Sequence, residues 1–139
     1  MQPLPPDLVP MIQQSLKGLF PELLGMQLVE ATPERVVATL EVLPSLCTLG
    51  NFLHGGAIMA FADTLGAVAT VINAPPPNRT VTIESKTNFL GSAPLGTTVT
   101  GECTPLHRGR TTMTWQTRIL DKDGKLLALV IQTQLVKRS

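Results

Sequence analysis

A single carboxylate sits where a carboxylate is costly. From Gly55 to Ala74 the sequence reads GGAIMAFADTLGAVATVINA, and Asp63 is its only charged residue. Aspartate is a poor helix former and an expensive group to bury, so in such a segment it needs a partner or a purpose. At about 100° per residue, the seven steps from Gly56 to Asp63 leave the two about 20° apart and about 10 Å along one helix face. Both can line one groove. Gly56 falls in the first turn, where backbone N–H groups lack intrahelical acceptors and the positive end of the dipole favours a developing oxyanion. Asp63 has the chemistry of a general base or a nucleophile. A structural alternative stays open: Asp63 pairs with a strand arginine, and Gly55 and Gly56 only admit a close turn into the helix. Buried ion pairs add little net stability over apolar packing, so that motive is weak. His54, just ahead of the helix, reads first as a structural histidine bonding loop backbone and second as a group for proton transfer.

The surrounding elements must position these residues. The segment from Gly55 to about Asn73 is apolar nearly all round and is stopped by Pro75-Pro76-Pro77, which predicts a helix enclosed by a sheet or by a partner subunit. It fails as a membrane span, because a mid-helix aspartate costs roughly 2.5 to 3.5 kcal/mol there. Upstream, Asp7 is the expected N-cap of a helix through about Leu19, carrying Leu8, Met11, Ile12, Leu16 and Leu19 and ended by Gly18 and Pro21. Residues 1–20 are thus an N-terminal helical segment. Met26–Glu30 and Arg35–Val42 predict a hairpin about Thr32-Pro33-Glu34, followed by a loop over Pro44–Leu53. Four strands follow, Thr80–Leu90, Thr97–Leu106, Thr111–Asp121 and Leu126–Val136. Turns at Ala93–Gly96, His107–Arg110 and Asp121–Gly124 predict that they form an antiparallel meander. The layout is α+β.

Composition bounds the function. A chain of 139 residues with no linker is one domain, 1–139. Eleven Lys and Arg against ten Asp and Glu, with 4% aromatic residues and no tyrosine, supply neither the field nor the stacking platforms of a nucleic-acid binder. Cys47, Cys103, His54 and His107 lack the spacing of a zinc site, so no metal is expected. The N-terminus MQPLPPDLVPM has no basic start or apolar run, which predicts a cytoplasmic protein with both thiols reduced. Low charge and 43% hydrophobic residues suggest that further surface is hidden by oligomerising.

His54-Gly55-Gly56 followed by Ala60-Phe61-Ala62-Asp63-Thr64 resembles the signature of hotdog-fold thioesterases of the phenylacetate-degradation (PaaI-like) type. The resemblance continues through Thr82 to Asn88-Phe89-Leu90, Ala93–Gly96, Gly109-Arg110 and Asp121–Gly124, roughly Leu24 to Val136. It implies a long central helix wrapped by an antiparallel sheet, a homo-oligomer that is a dimer or a dimer of dimers, and hydrolysis of an acyl-coenzyme A at the subunit interface. No cofactor is implied, coenzyme A being part of the substrate. Carried onto this chain, the Gly56 N–H polarises the thioester carbonyl and Asp63 is base or nucleophile. His54 orients the thioester or its loop, and Thr82 of the other subunit aids the attacking water. Thr48 stands where many relatives carry Asn, keeping one hydroxyl for a water or carbonyl. Asn51 stands where they carry Gly, and Gly91 where a basic residue is frequent. Asn51 and Gly55 join the substrate-binding set. For the coenzyme A phosphates, Arg108 and Arg110 flank Gly109 at a turn where backbone can approach a ligand, with Arg79 and Lys86 on the strand side; ordinary surface charge is their alternative. The implied substrates are small, medium-chain or aryl acyl-coenzyme A. The competing readings are a non-catalytic acyl-coenzyme A sensor and a hotdog dehydratase of 3-hydroxyacyl thioesters, whose His and acid are placed differently.

Overall fold

Runs rich in β-branched residues form strands, and the helices fill the stretches between proline and glycine stops. The computed structural model describes residues 7–138. Two short helices, α1 (Val9–Ser15) and α2 (Phe20–Leu24), precede a hairpin of β1 (Gln27–Ala31) and β2 (Val36–Glu41). A small hairpin of β3 (Cys47–Thr48) and β4 (Phe52–Leu53) leads into α3 (Gly55–Asn73). Then come β5 (Arg79–Phe89), β6 (Thr98–Arg108), β7 (Thr112–Leu120) and β8 (Leu126–Lys137). The main sheet is antiparallel, in the order β1-β2-β6-β7-β8-β5.

That order corrects the expected meander. Strands β6, β7 and β8 are joined by tight turns as predicted, but β5 pairs with β8 and lies at the far edge from β1. Ala93–Gly96 is therefore part of a crossing connection, stitched to β4 by Leu53 N–H donating to the Ala93 carbonyl and Leu95 N–H to that of Asn51. Proline and glycine mark where a chain turns, whereas pairing is set by long-range register. The N-terminal segment is corrected too. Leu8, not Asp7, is the N-cap of α1, although Val9 N–H donates to Asp7 Oδ1 at 3.1 Å, and the helix ends at Ser15 instead of Leu19. Gly18, at φ 77°, turns the chain, and Pro21 lies in the first turn of α2, where its missing N–H is harmless, so it opens a helix instead of ending one. Residues 1–6 of that segment lie outside the described residues.

Helix α3 is long and apolar enough to cross a membrane, yet here it is the core helix of the fold. Ile58, Phe61, Ala62, Leu65, Val68 and Ala69 bury against Val36, Ala38, Leu40, Val99, Trp115 and Val130. Gly101 on β6 sets the closeness of approach: a Cβ there would lie 2.6 Å from Leu65 Cδ1 and 3.0 Å from Phe61 Cε2. The Trp115 indole donates to Thr70 Oγ1 at 2.8 Å, and Thr70 donates on to the Gly66 carbonyl, which satisfies the one polar atom of the largest core side chain. Burial pushes the Cys103 thiol up to about 11 against a smaller lowering by Thr117, so it stays a neutral packing group. The outer face of α3 is covered only in part. Met59 and Val71 are 39% and 40% exposed, so one chain does not complete the predicted enclosure.

Candidate active site

At the start of α3 the first-turn amides need acceptors that the helix does not supply. His54 is the N-cap, and its Nδ1 accepts from Gly56 N–H at 2.7 Å, while its carbonyl accepts from Ala57 and Ile58 N–H. The structural role read for His54 is therefore present. An accepting Nδ1 leaves the neutral ring's proton on Nε2. The same bond engages the Gly56 N–H, the amide expected to hold the oxyanion. The amide left without a partner among the described residues is that of Gly55. Phe89, at the end of β5, packs on Gly55 closely enough that a Cβ there would lie 3.1 Å from its ring.

Asp63 is half-buried. Thr82 Oγ1 on β5 donates to its Oδ1 at 2.6 Å, and Gln132 Nε2 on β8 lies 3.3 Å from its backbone carbonyl. The ion pairs among the described residues join Arg35 to Glu30 and Glu102, and Arg108 to Glu34; none reaches Asp63. The arginine-partner alternative is thus not what the chain builds. Thr82 meets Asp63 of its own chain, where the resemblance implied a role across the interface. Asp63 stands at a cavity of about 310 Å³ whose other walls are Ile12, Leu16, Pro21, Ala67, Val68 and Val71 with the small hydroxyls of Ser15 and Thr64. Among the described residues it is the only charged group there.

Gly66 makes room for this arrangement. A Cβ on it would lie 2.2 Å from Gln132 Nε2, and Gln132 is only 1% exposed. Gly66→Ala is expected to displace Gln132 from Asp63 and to destabilise the fold by about 1 to 3 kcal/mol, as overpacking does, read as a lowered Tm.

A second cavity, of about 400 Å³, adjoins the helix start and is lined by Phe20, Leu23, Leu46, Cys47, His54 and Ala57 among others. Thr48 and Asn51 sit on the β3–β4 hairpin beside it, both exposed. Asn51 has φ 63°, and its N–H donates to the Thr48 carbonyl, so its evident role is the left-handed turn position that asparagine tolerates.

Arg108, Gly109 and Arg110 are not brought to either cavity. Arg108 Nη1 donates to the Pro33 carbonyl at 3.1 Å and lies 3.5 Å from Asn73 Oδ1, tying the β6–β7 turn to the far end of α3. Gly109 yields to the His107 ring, whose Nε2 a Cβ would meet at 2.6 Å. Arg110 is exposed, its carbonyl accepting from Arg138 at 2.7 Å, and Arg79 pairs in register with Lys137. Together they form a basic rim at that end of the sheet.

Gln132 and Gln134, which are 1% and 0% exposed, are not among the residues the sequence singles out. Strict alternation along Ala128, Val130, Gln132, Gln134 and Val136 puts both on the inward face of β8, and that period was the available signal.

Comparison with known proteins agrees with this fold. The thioesterase superfamily pattern matches residues 50–128, from β4 through α3 to the start of β8. A 1,4-dihydroxy-2-naphthoyl-CoA hydrolase of Listeria monocytogenes is 27% identical over 84% of this chain and 94% of its own length. A mutant of thioesterase PA1618 from Pseudomonas aeruginosa superposes with a TM-score of 0.90 at 27% identity, over 96% of both chains. The phenylacetic acid degradation protein PaaI of Thermus thermophilus, as a mutant, superposes with a TM-score of 0.77 at 26% identity, over 84% of this chain and 96% of that one.

Proposed function

Since the chain belongs to the thioesterase superfamily and is a thioester hydrolase of hotdog fold, we propose that it cleaves an acyl-coenzyme A with a small, medium-chain or aryl acyl group, Asp63 serving as base or nucleophile. The observation that carries this is the lone carboxylate of Asp63, hydrogen-bonded by Thr82 but without a counter-ion, at the wall of an otherwise uncharged cavity. A carboxylate so held is acceptor-only and keeps one oxygen for a water or a carbonyl carbon. The Gly55 amide, aligned with the positive end of α3, is the donor for the oxyanion, and His54 occupies Gly56 while holding the helix start.

One chain does not bring these two halves together. Gly55 and Asp63 are eight residues apart, about 12 Å along the helix axis. A carbonyl with its oxygen on an amide and its carbon facing the attacking oxygen bridges about 7 Å, and a relaying water adds about 3 Å. Two chains solve this if their α3 helices lie antiparallel about a two-fold axis at Met59, which pairs residue 55 of each with residue 63 of the other. Met59 falls angularly between Gly55 and Asp63 and is 39% exposed. The unpaired edge β5 exposes Val81, Ile83 and Phe89, surface that suits a second copy. The assembly we propose is a dimer, or a dimer of dimers, with two shared sites per pair. Coenzyme A phosphates are assigned to the rim of Arg79, Arg110 and Lys137. On this assignment Arg110→Ala raises KM several-fold at constant kcat, because contacts equal in ground and transition states change KM alone, while Arg108→Ala leaves KM in place.

The test is release of free thiol from acetyl-, hexanoyl-, decanoyl-, palmitoyl-, benzoyl-, phenylacetyl- and 1,4-dihydroxy-2-naphthoyl-coenzyme A. Turnover of at least one of the shorter or aryl substrates is expected. Binding throughout the panel without thiol release would make the protein a sensor instead.

A further inference from the structure

Beneath Asp63 a ladder of polar side chains crosses from β5 to β8, and its hydrogen atoms can be placed by elimination. An ionised carboxylate only accepts, so Thr82 Oγ1, 2.6 Å from Asp63 Oδ1, must give it its single proton. Thr82 then has only lone pairs left for Gln134, which must present its NH₂ to Thr82, at 2.6 Å. The Gln134 carbonyl oxygen is thereby turned to Thr80, whose hydroxyl donates to it at 2.8 Å. Each orientation follows from the one before. Gln134 is fully buried, and Gln132 Nε2 approaches Asp63 Oδ1 only at 3.5 Å, at the limit of a hydrogen bond.

From this ladder we infer that Thr80, Gln134 and Thr82 are positioning residues, which fix Asp63 Oδ1 as a permanent acceptor and leave Oδ2 as the oxygen that meets substrate. The inference rests on the reading of Asp63 as the reacting acid and deepens it: the ladder selects which oxygen reacts and in which direction it points. Thr82 lies in β5 and Gln134 in β8, directly opposite one another in register, so strand pairing itself holds the ladder in line.

The test needs a readout that does not depend on turnover. Protein carrying ¹³C-labelled aspartate contains Asp7, Asp63, Asp121 and Asp123, and subtracting the spectrum of Asp63→Asn isolates the Asp63 carboxylate bands in the infrared at a pH where carboxylates are ionised. One strong hydrogen bond to one oxygen makes the two C–O bonds unequal and widens the splitting between antisymmetric and symmetric stretches. Thr82→Val should narrow that splitting, Thr82→Ser should restore it, and Gln134→Met should narrow it by a lesser amount. With the best substrate of the panel, Thr82→Val should lower kcat by about 10-fold with KM within about twofold of wild type, as expected for lost orientation. Thr82→Ser should recover most of that kcat. An Asp63 splitting unchanged in Thr82→Val, or a serine variant indistinguishable from valine, overturns the inference. Should the wild type hydrolyse nothing in the panel, the proposed activity fails while the infrared arm still decides the ladder.

Discussion

Asp63→Asn should lower turnover by about 10² to 10⁴-fold, the usual worth of general-base or nucleophilic assistance, and leave the protein folded. Both halves of the expectation come from the same contacts. Asparagine retains a carbonyl oxygen that can accept from Thr82, so the 2.6 Å bond has a successor. Among the described residues no cation pairs with Asp63, so removing its charge orphans nothing there and the roughly 3 to 5 kcal/mol penalty of a broken buried pair does not arise. Kinetics and a melting curve on one preparation check this. Near-normal hydrolysis with a sharply lowered Tm would assign Asp63 a structural role.

Met59→Glu should have the next largest effect. A residue on a two-fold axis meets its own copy, so this substitution sets two like charges against each other in an apolar contact and splits the pair. Activity should fall with assembly, by at least about 10²-fold, because each site loses the half that the other chain supplies. Within one chain the side chain is 39% exposed on the outer face of α3, and the fold itself should survive. Sedimentation velocity and circular dichroism separate the outcomes: a folded, inactive monomer is expected, whereas a fully active monomer would place the whole site in one chain.

Much of this was legible in the sequence because local physics decides it. The bounds of α3 follow from an apolar run between a glycine pair and a proline stop. The hairpin of β1 and β2 and the turns after β6 and β7 follow from glycine and proline placed among β-branched residues. Asp63 stood out because nothing local explains a carboxylate there. What was not legible depends on distant partners. Pairing β5 with β8 rather than β6 is a register decision made across the whole sheet. Whether the Gly56 amide is open beside that of Gly55 depends on one rotamer of His54. Arg108 looked like a phosphate ligand because its turn is local, while its acceptor, the Pro33 carbonyl, lies 75 residues away in sequence. Gln132 and Gln134 gave a usable alternation signal, but their purpose appears only when α3 is laid over β8.

The shared reaction centre is tested most directly by subunit complementation. Gly55→Pro removes the open N–H at the first helical position, which accepts proline, and His54, at φ −64° and ψ 137°, already has the backbone that must precede it. The added ring meets Phe89 at about the 3.1 Å of a Cβ, so the half-exposed Phe89 side chain must shift by a few tenths of an ångström, and circular dichroism checks that the variant folds. The proline variant supplies Asp63 but no amide, whereas Asp63→Asn supplies the amide but no acid, so each should be inactive alone. After co-refolding equal amounts, half the dimers are mixed and each carries one intact site, so activity should return to about a quarter of wild type. Activity that stays at the level of the separate variants, with mixed dimers demonstrably present, would contradict the shared site.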